Sequence, residues 1–303
     1  MVITGGSGLL ALNWGCAMRD QWDVILGTHL HDVNLPGVRS CRIDLWDPEL
    51  LESQLQPLSP DLLVHTAALT DVDRCESVPE LATEVNASLA QNVAKVAAVA
   101  GIGLIHISTD HLFASDSGPY SESDPPRPLN EYGRSKLKGE ELVRDACSRA
   151  LVVRTNFFGW GHARRQSFSD WIIRSLRKGE AISLFDDVYF TPILADALAT
   201  AAHELAAAGR SGTYNLVGDD RLSKYEFGVR LARRFALPTE LICRVQVGNA
   251  NLSALRPRDM SLTNAKACSS IRRGLGSLDD FFDALDTQER QGRSSQLLHA
   301  VSV

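Results

Sequence analysis

The 303-residue chain has no long apolar segment, no paired-cysteine motif and no basic stripe. Its apolar runs, such as 97–107, are interrupted well short of the ~20 residues that a membrane span needs. Six cysteines without a Cys-x-x-Cys pair predict reduced thiols. Because 37 acidic residues outnumber 31 dispersed lysines and arginines, neither nucleic acid nor a membrane is an expected partner. With no leader pattern before the first apolar run, we expect a cytoplasmic location.

Short apolar runs alternate with longer helical patterns up to about residue 155. This rhythm is typical of repeated strand–helix–strand units, so it predicts an α/β fold with a Rossmann-type, doubly wound parallel sheet. The predicted strands are 1–4, 23–27, 62–66, 104–108 and 151–154, and the predicted helices are 9–20, 48–56, 79–100 and 130–147.

After residue 155 the pattern becomes less regular, with predicted helices at 168–178, 191–208 and 223–235 and a strand at 213–217. We therefore expect a dinucleotide-binding domain over 1–155, to which later segments can return. A smaller C-terminal substrate-binding lobe would cover most of 156–303. The weak periodicity of 291–303 leaves open whether this segment is a mobile tail or is ordered.

A glycine-rich turn joins the first strand to the first helix. Gly5, Gly8 and Ala11 have the spacing of a dinucleotide fingerprint, which needs a tight turn, close backbone approach to a pyrophosphate and close helix packing. The first amides of the helix would then face the anion. Leu9 stands where a hydrolase nucleophile elbow needs glycine, and no lysine follows Gly8, so two rival glycine motifs are excluded.

The end of the second strand bears on the choice of cofactor. Residues 26–29, Leu-Gly-Thr-His, include no acid to hold the ribose 2′-hydroxyl of NAD. This favours NADP(H), although no arginine is evident there for its 2′-phosphate, and NAD(H) stays open. Asp44 has two interpretations, a contact to the adenine amine or a cap before the next helix.

Three side chains predict carbonyl chemistry. Tyr132 and Lys136 are four residues apart at the start of a helix and so share one face. We expect the ammonium to lower the phenol pKa from ~10 and make Tyr132 a usable proton donor. Thr109 follows the fourth strand, where parallel sheets bind ligands, and would present its hydroxyl to a substrate carbonyl.

These motifs resemble the extended short-chain dehydrogenase/reductase family, and within it the branch typified by dTDP-4-dehydrorhamnose reductase, which reduces nucleotide-linked 4-keto sugars. The resemblance rests on segments 4–8, 65–73, 85–87, 108–113 and 132–136, and extends through 154–156 to Arg256, Pro257, Leu262 and Lys266. It covers most of the chain. It implies NAD(P)H as cofactor and a nucleotide sugar as substrate, and a homodimer stays open.

The resemblance also assigns roles to individual positions. It implies that Tyr132 protonates the C4 oxygen, that Lys136 holds the nicotinamide ribose, and that Thr109 polarises the carbonyl. The implied cofactor-binding residues are Gly5, Ser7, Gly8, Leu9, Leu10, Asp44, Leu45, Ala67, Ala68 and Asn86, together with Tyr132 and Lys136. The implied substrate-binding residues are Thr70, Asp110, His111, Asn156 and Arg256, of which Arg256 is the preferred phosphate partner.

Two other activities of the same fold remain alternatives. In the dehydratase branch of the family Asp-Glu follows the catalytic threonine, whereas this chain has Asp110 and His111, which favours simple reduction. An epimerase that retains NAD, or a non-catalytic regulatory subunit like that of methionine adenosyltransferase, stays open because fold does not fix function.

The histidines are interpreted as structural. His65 and His106 lie on apolar strands and are expected to be core histidines with satisfied hydrogen bonds. His29, His31 and Asp32 lack the ordered ligand set of a zinc site, so we expect no metal.

Overall fold

A computed structural model describes residues 1–113 and 118–302 of the chain. The strands are β1 (Val2–Thr4), β2 (Ile25–Thr28), β3 (Arg39–Arg42), β4 (Leu62–His65), β5 (Gly103–Ile107), β6 (Leu151–Arg154), β7 (Phe157–Phe158), β8 (Ile182–Phe185), β9 (Tyr189–Phe190), β10 (Ile193–Leu194), β11 (Gly212–Asn215), β12 (Leu222–Ser223) and β13 (Ile242–Val245). The centre of the fold is a seven-stranded sheet in the order β11-β6-β5-β4-β1-β2-β3, with every pair parallel.

The predicted α/β fold with a doubly wound parallel sheet is confirmed. Val2 of β1 pairs with Ile25 of β2 on one side and with Leu63 of β4 on the other. The strand order therefore reverses at β1, and such a reversal opens a crevice at the carboxyl ends of the strands. Because β11 returns to this sheet beside β6, the domain boundary at residue 155 stays a prediction.

Helices cover both faces of the sheet. They are α1 (Leu9–Met18), α2 (Pro48–Leu55), α3 (Val72–Ser77), α4 (Pro79–Thr83), α5 (Leu89–Ala100), α6 (Glu131–Ala146), α7 (Phe168–Arg177), α8 (Ala195–Ala207), α9 (Lys224–Arg234), α10 (Ala265–Ile271), α11 (Leu278–Arg290) and α12 (Arg293–Leu298). The apolar residues of α1 and α8 pack in one core, and those of α2 and α5 pack in the other. No helix among the described residues is both long and apolar enough to cross a membrane.

The later part of the chain is held together by aromatic rings. Phe158 lies 5.2 Å from Phe227 and 5.8 Å from Phe282, measured between ring centroids. These contacts join β7, α9 and α11, and edge-to-face geometry of this kind favours a fixed arrangement. Short strand pairs, β7 with β10, β8 with β13 and β9 with β12, complete this region.

The described part of the C-terminal segment 291–303 is ordered. Residues 293–302, which we call the C-terminal strap, form α12 and an antiparallel bridge between Val301 and Val33. The amide of Asn34 donates to the Ala300 carbonyl at 2.8 Å, and the amide of Ala163 donates to that of Leu298 at 3.1 Å. The weak periodicity did not indicate this order, because the strap buries scattered apolar residues against two loops and does not need one periodic apolar face. Val303 lies outside the described residues.

Candidate active site

A cavity of about 240 Å³ opens at the carboxyl ends of β1, β4, β5 and β6. It is lined by Gly8, Leu9, Leu10, Thr66, Ala68, Thr70, Val72, Ile107, Ser108, Thr109, Asp110, His111, Tyr132, Lys136, Thr155, Asn156, Phe157 and Arg165. It lies at the reversal of strand order, where open parallel sheets bind ligands. The predicted catalytic residues therefore line the same cavity as Gly8 of the predicted glycine turn.

The glycine turn forms a tight cradle at the start of α1. Gly5 has a φ of +71°, a conformation that would strain any residue with a side chain. A Cβ at Gly5 would also lie 2.8 Å from the backbone of Ala67 and clash with the loop after β4. The Gly8 amide donates to the Gly5 carbonyl at 2.8 Å. No side chain caps α1, which leaves its first amides free to face an anion. Ser7 lies in the turn but does not line the cavity.

This cradle fits the pyrophosphate of a dinucleotide cofactor. The turn amides would hold the phosphates, Ala68 and Leu10 would lie along the ligand, and Lys136 would reach the ribose at the inner end. A reduced nicotinamide bound there would supply hydride.

Asp44 and Leu45 lie away from this cavity. Oδ1 of Asp44 accepts hydrogen bonds from the amides of Trp46 at 2.7 Å and Asp47 at 3.3 Å. Asp44 thus holds the turn before α2, while Asp47 is the N-cap of that helix. The side chain of Leu45 is buried in the core, and the cofactor contact expected for Leu45 stays a prediction. An adenine contact by Asp44 stays a prediction.

Asn86 supports the site from behind. It is buried, its Oδ1 accepts from the amide of Leu69 at 2.7 Å, and its Nδ2 donates to Ser135 Oγ at 2.9 Å. These bonds join the loop after β4 to α6 and so support the helix that carries Tyr132 and Lys136. The cofactor contact expected of Asn86 stays a prediction.

Helix α6 carries Tyr132 and Lys136 one turn apart on the face toward the cavity. Asn130 caps the helix by accepting a hydrogen bond from the Gly133 amide at 2.9 Å. A Cβ on Gly133 would lie 2.4 Å from the His111 carbonyl, so glycine permits the close approach of α6 to the loop after β5. The cap and this contact place the start of α6 against Thr109.

The expected lowering of the Tyr132 pKa is wrong. Burial raises the pKa of Tyr132 to about 12, and a hydrogen bond with Thr109 only partly opposes this effect. The Lys136 ammonium instead donates to the Ile107 carbonyl at 2.7 Å. Burial lowers the pKa of Lys136 to about 8, against the raising influence of Glu140. In both groups burial is the largest influence, because the charged form loses its contact with water.

Asp110 and His111 follow Thr109 into the cavity wall. Asp110 is buried, and its Oδ2 accepts a hydrogen bond from Asn156 Nδ2 at 2.6 Å. The His111 ring lies 5.4 Å from the Tyr132 ring, edge to face. Burial, helped by the charges of Lys224 and Arg256, lowers the pKa of His111 to about 3. His111 is therefore neutral at physiological pH.

Arg256, the predicted phosphate partner, does not line the cavity, whereas Arg165 does. Arg256 donates to Asp73 Oδ2 at 2.8 Å and to the Ala254 carbonyl at 2.8 Å, and it lies outside the cavity lining. Arg165, on the loop after β7, lines the cavity and donates to Thr70 Oγ1. The arginines in the glycine-containing loop that follows the fifth predicted strand could have indicated this residue.

His65 and His106 are predicted to be core histidines with satisfied hydrogen bonds. Their burial is confirmed, but the satisfaction of their hydrogen bonds is not. His65 Nδ1 is paired with Thr4 Oγ1 at 2.7 Å. Within the part of the chain that the structure describes, His65 Nε2 and both ring nitrogens of His106 have no hydrogen-bond partner. The rings stack 5.3 Å apart on adjacent strands. Among the described residues, no cluster of histidine, cysteine, aspartate or glutamate could hold a metal ion.

The fold and sequence are similar to those of known proteins. A probable low-salt glycan biosynthesis reductase from Haloferax volcanii is 32% identical, with 94% of this chain and 96% of the relative covered. The β subunit of mouse methionine adenosyltransferase 2 is 28% identical, with 93% and 84% covered. A Bacillus anthracis dTDP-4-dehydrorhamnose reductase solved with NADP has a TM-score of 0.84 at 24% identity, with 95% and 98% covered. The model of the RmlD substrate binding domain family matches residues 1–277, and the chain belongs to that family.

Proposed function

We propose that this protein reduces the 4-keto group of a nucleotide-activated deoxy sugar with NAD(P)H. The observation that carries the proposal is the convergence of Thr109, Tyr132 and Lys136 on one cavity that begins at the glycine turn of α1. A proton donor beside a hydride site is what carbonyl reduction needs. The reductases named among the relatives support the same activity.

In this mechanism Tyr132 gives its hydroxyl proton to the carbonyl oxygen of the sugar. Its raised pKa keeps the phenol protonated at neutral pH. The Thr109 hydroxyl, which donates to Asp110 Oδ1 at 3.3 Å in the structure, would turn to donate a second hydrogen bond to the carbonyl oxygen. Lys136 provides the nearby positive charge that stabilises the phenolate left behind. The proton is then restored to Tyr132 from solvent.

The end of strand β3 supports NADP(H) as the preferred cofactor. Arg42 lies beside Thr28 in the register of β3 on β2, and its guanidinium donates to the His29 carbonyl and to Asp32 Oδ1. Its side chain is 57% exposed, so the ion pair with Asp32 contributes little stability. A 2′-phosphate can replace that carboxylate and engage the guanidinium in a bidentate pair.

The cofactor preference can be tested on Arg42 with a matched control. Arg42→Ala should raise KM for NADPH about tenfold and leave KM for NADH unchanged, since loss of a charge-assisted pair costs about 1.5–3 kcal/mol. Arg39→Ala, which removes an exposed arginine of the same strand paired with Asp23, should change neither value. An equal change for both cofactors would contradict the proposed role of Arg42.

The direct test of function is oxidation of NADPH and NADH with a panel of freshly prepared nucleotide 4-keto sugars. Net loss of nicotinamide absorbance that depends on the sugar supports reduction. An epimerase would interconvert the sugars with tightly retained cofactor and no net absorbance change.

A regulatory role is the second candidate, because of the similarity to the methionine adenosyltransferase β subunit. Cofactor binding without turnover of any keto sugar, together with capture of a methionine adenosyltransferase catalytic subunit, would favour it. The intact catalytic set argues for reduction. The cytoplasmic location and the homodimer stay predictions, which cell fractionation and light scattering test.

A further inference from the structure

Tyr132 is the second residue of α6 and therefore lies in the first turn of that helix. The amides of a first helical turn have no acceptors within the helix, so contacts from outside the helix decide where this turn lies. Asn130, the N-cap, is buried. Its Oδ1 accepts a hydrogen bond from the Gly133 amide at 2.9 Å, and its Nδ2 donates to the Leu255 carbonyl at 2.8 Å. One side chain thus joins the start of α6 to a loop 125 residues later in the chain.

That loop, residues 254–256, is held at a second point by Asp73 of α3. Oδ1 of Asp73 accepts a hydrogen bond from the Ala254 amide at 2.9 Å, and Oδ2 accepts one from Arg256 Nη2 at 2.8 Å. Ala254 is buried, so the loop lies against the protein at this point. One carboxylate therefore binds the residues on both sides of Leu255, and the Leu255 carbonyl lies between two anchored neighbours.

Helix α3 also contacts the start of α6 directly. The Tyr132 ring packs in an apolar cluster with Cys75 of α3. Oε2 of Glu76, also on α3, accepts a hydrogen bond from the Glu131 amide at 3.0 Å. Helix α3, the 254–256 loop and the start of α6 therefore each contact the other two, and Tyr132 belongs to this set of contacts.

The 254–256 loop continues into a segment that is bound to strand β9. The Tyr189 amide donates to the Arg258 carbonyl at 2.7 Å, and Tyr189 forms a bridge with Asp259. Strand β9 in turn pairs with β12. The start of α6 is therefore tied to the part of the chain for which a substrate-binding role is predicted.

We propose that Asn130 is a positioning residue, which fixes the phenol of Tyr132 through the hydrogen bond to the Leu255 carbonyl. Asp73 acts with it by holding the 254–256 loop. A helix cap needs only an acceptor, and serine supplies one as well as asparagine does. The longer asparagine side chain adds an amide donor, and here that donor reaches the loop. The part of this inference that concerns turnover rests on the proposed reductase function.

Asn130→Ser is the direct test, because serine keeps the cap of α6 but is too short to reach the Leu255 carbonyl as well. At saturating sugar the single-turnover rate of NAD(P)H oxidation should fall about tenfold, because misplacing a reacting group by about 1 Å can cost up to about 100-fold in rate. The Kd of the cofactor should be unchanged. Ser277→Asn is the matched control, since it exchanges the same two residue types at the cap of α11, and it should change neither quantity.

Hydrogen exchange of the full-length protein tests the link between the loop and α6 without any substrate. In Asn130→Ser, peptides that cover 254–256 and the first turn of α6 should exchange about fivefold faster, the effect of losing one typical hydrogen bond. Peptides that cover α11 should keep the wild-type rate. Unchanged exchange at both ends of the lost bond overturns the link. Faster exchange with an unchanged single-turnover rate overturns the positioning of Tyr132.

Asp73→Ala tests whether the two residues act through the same loop. It should lower the single-turnover rate about as much as Asn130→Ser does, and the double variant should show no further loss, because effects that share one path do not add. Arg74→Ala, at an exposed position of α3, is the matched control and should keep the wild-type rate. A double variant whose rate falls by the product of the two separate losses would overturn the shared path.

Separate readouts distinguish the possible failures. If Asn130→Ser does not fold, Asp73→Ala, which changes a side chain that is 39% exposed, still tests the loop; wild-type exchange over 254–256 in that variant overturns the proposal. If the wild-type protein reduces no keto sugar, the proposed function fails, and with it the part of the inference that concerns turnover. Hydrogen exchange still decides whether Asn130 and Asp73 fix the start of α6.

Discussion

Arg154 and Glu140 form a buried ion pair with two hydrogen bonds, between strand β6 and helix α6. Arg154 Nε donates to Oε1 at 2.9 Å and Nη2 donates to Oε2 at 2.8 Å. Glu140 is one turn beyond Lys136 on α6, so the pair fixes the helix that carries the proton donor to the sheet.

We predict that Glu140→Gln lowers the free energy of unfolding by about 3 kcal/mol, because breaking a buried pair leaves the remaining charge uncompensated. Urea denaturation measures the loss. Glu141→Gln removes the exposed partner of Lys138 and should change stability by less than about 1 kcal/mol. Equal losses in the two variants would show that the buried pair does not anchor α6.

Tyr132→Phe should reduce kcat by about 100-fold or more, the usual contribution of a positioned proton donor. Cofactor affinity should be unchanged, because the phenylalanine keeps the ring on α6. Stopped-flow reduction and a separate cofactor titration measure the two quantities. Tyr225→Phe, on α9, is the control and should reduce substrate at the wild-type rate. A Tyr132→Phe enzyme with normal kcat would exclude the proposed mechanism.

Arg165→Ala should raise KM for the nucleotide sugar about tenfold with little change in kcat. The exposed guanidinium at the mouth of the cavity is suited to a diphosphate, and a tenfold loss corresponds to about 1.4 kcal/mol. Arg164→Ala removes the neighbouring exposed arginine and should leave KM near the wild-type value. If both substitutions weaken binding equally, the loop contributes only a general positive charge.

His106 should make the protein sensitive to acid. Its pKa is held well below the ordinary 6.5 by burial and by the charges of Lys136 and His65. Below pH 6.5 the unfolded chain binds a proton that folded His106 does not, so stability falls as the pH falls. The limiting slope is about 1.4 kcal/mol per pH unit for each such histidine.

His106→Phe should therefore flatten the loss of unfolding free energy between pH 6.5 and about 4.5, measured by urea denaturation at each pH. His299→Phe, at an exposed position, should leave the slope unchanged. An unaltered acid slope in His106→Phe would mean that other groups cause the loss.

Local patterns predicted the strands that are buried on both sides, but not β3. Its sequence, Arg-Ser-Cys-Arg, is largely exposed at the sheet edge and lacks an apolar run. The predicted helix 79–100 includes a π-helical segment, Glu84–Ser88, which the apolar spacing does not reveal. The predicted helix 191–208 begins later, at Ala195, because Ile193–Leu194 pairs as β10 with β7.

In the candidate active site, the sequence motifs identified those residues whose positions are set by the strand or helix that carries them. Thr109, Tyr132 and Lys136 follow directly from a strand end and a helix turn. The structure pairs Arg256 with Asp73, which is 183 residues away. Such a tertiary contact cannot be read from local sequence, and the phosphate role of Arg256 stays a prediction. The position of Arg165 in the cavity lining was missed for the same reason.

The C-terminal strap links the two ends of the active site mechanically. It bonds to Asn34, in the loop after β2, and to Ala163, two residues before Arg165. The same ten residues therefore form hydrogen bonds with two loops. One loop lies near the proposed 2′-phosphate site, and the other lies near the proposed site for the sugar diphosphate. The family match ends at residue 277, so the strap lies outside it. Deleting residues 293–303 should weaken cofactor and sugar binding together, which separate titrations of the two ligands would measure; loss of one affinity alone would contradict a shared role of the strap.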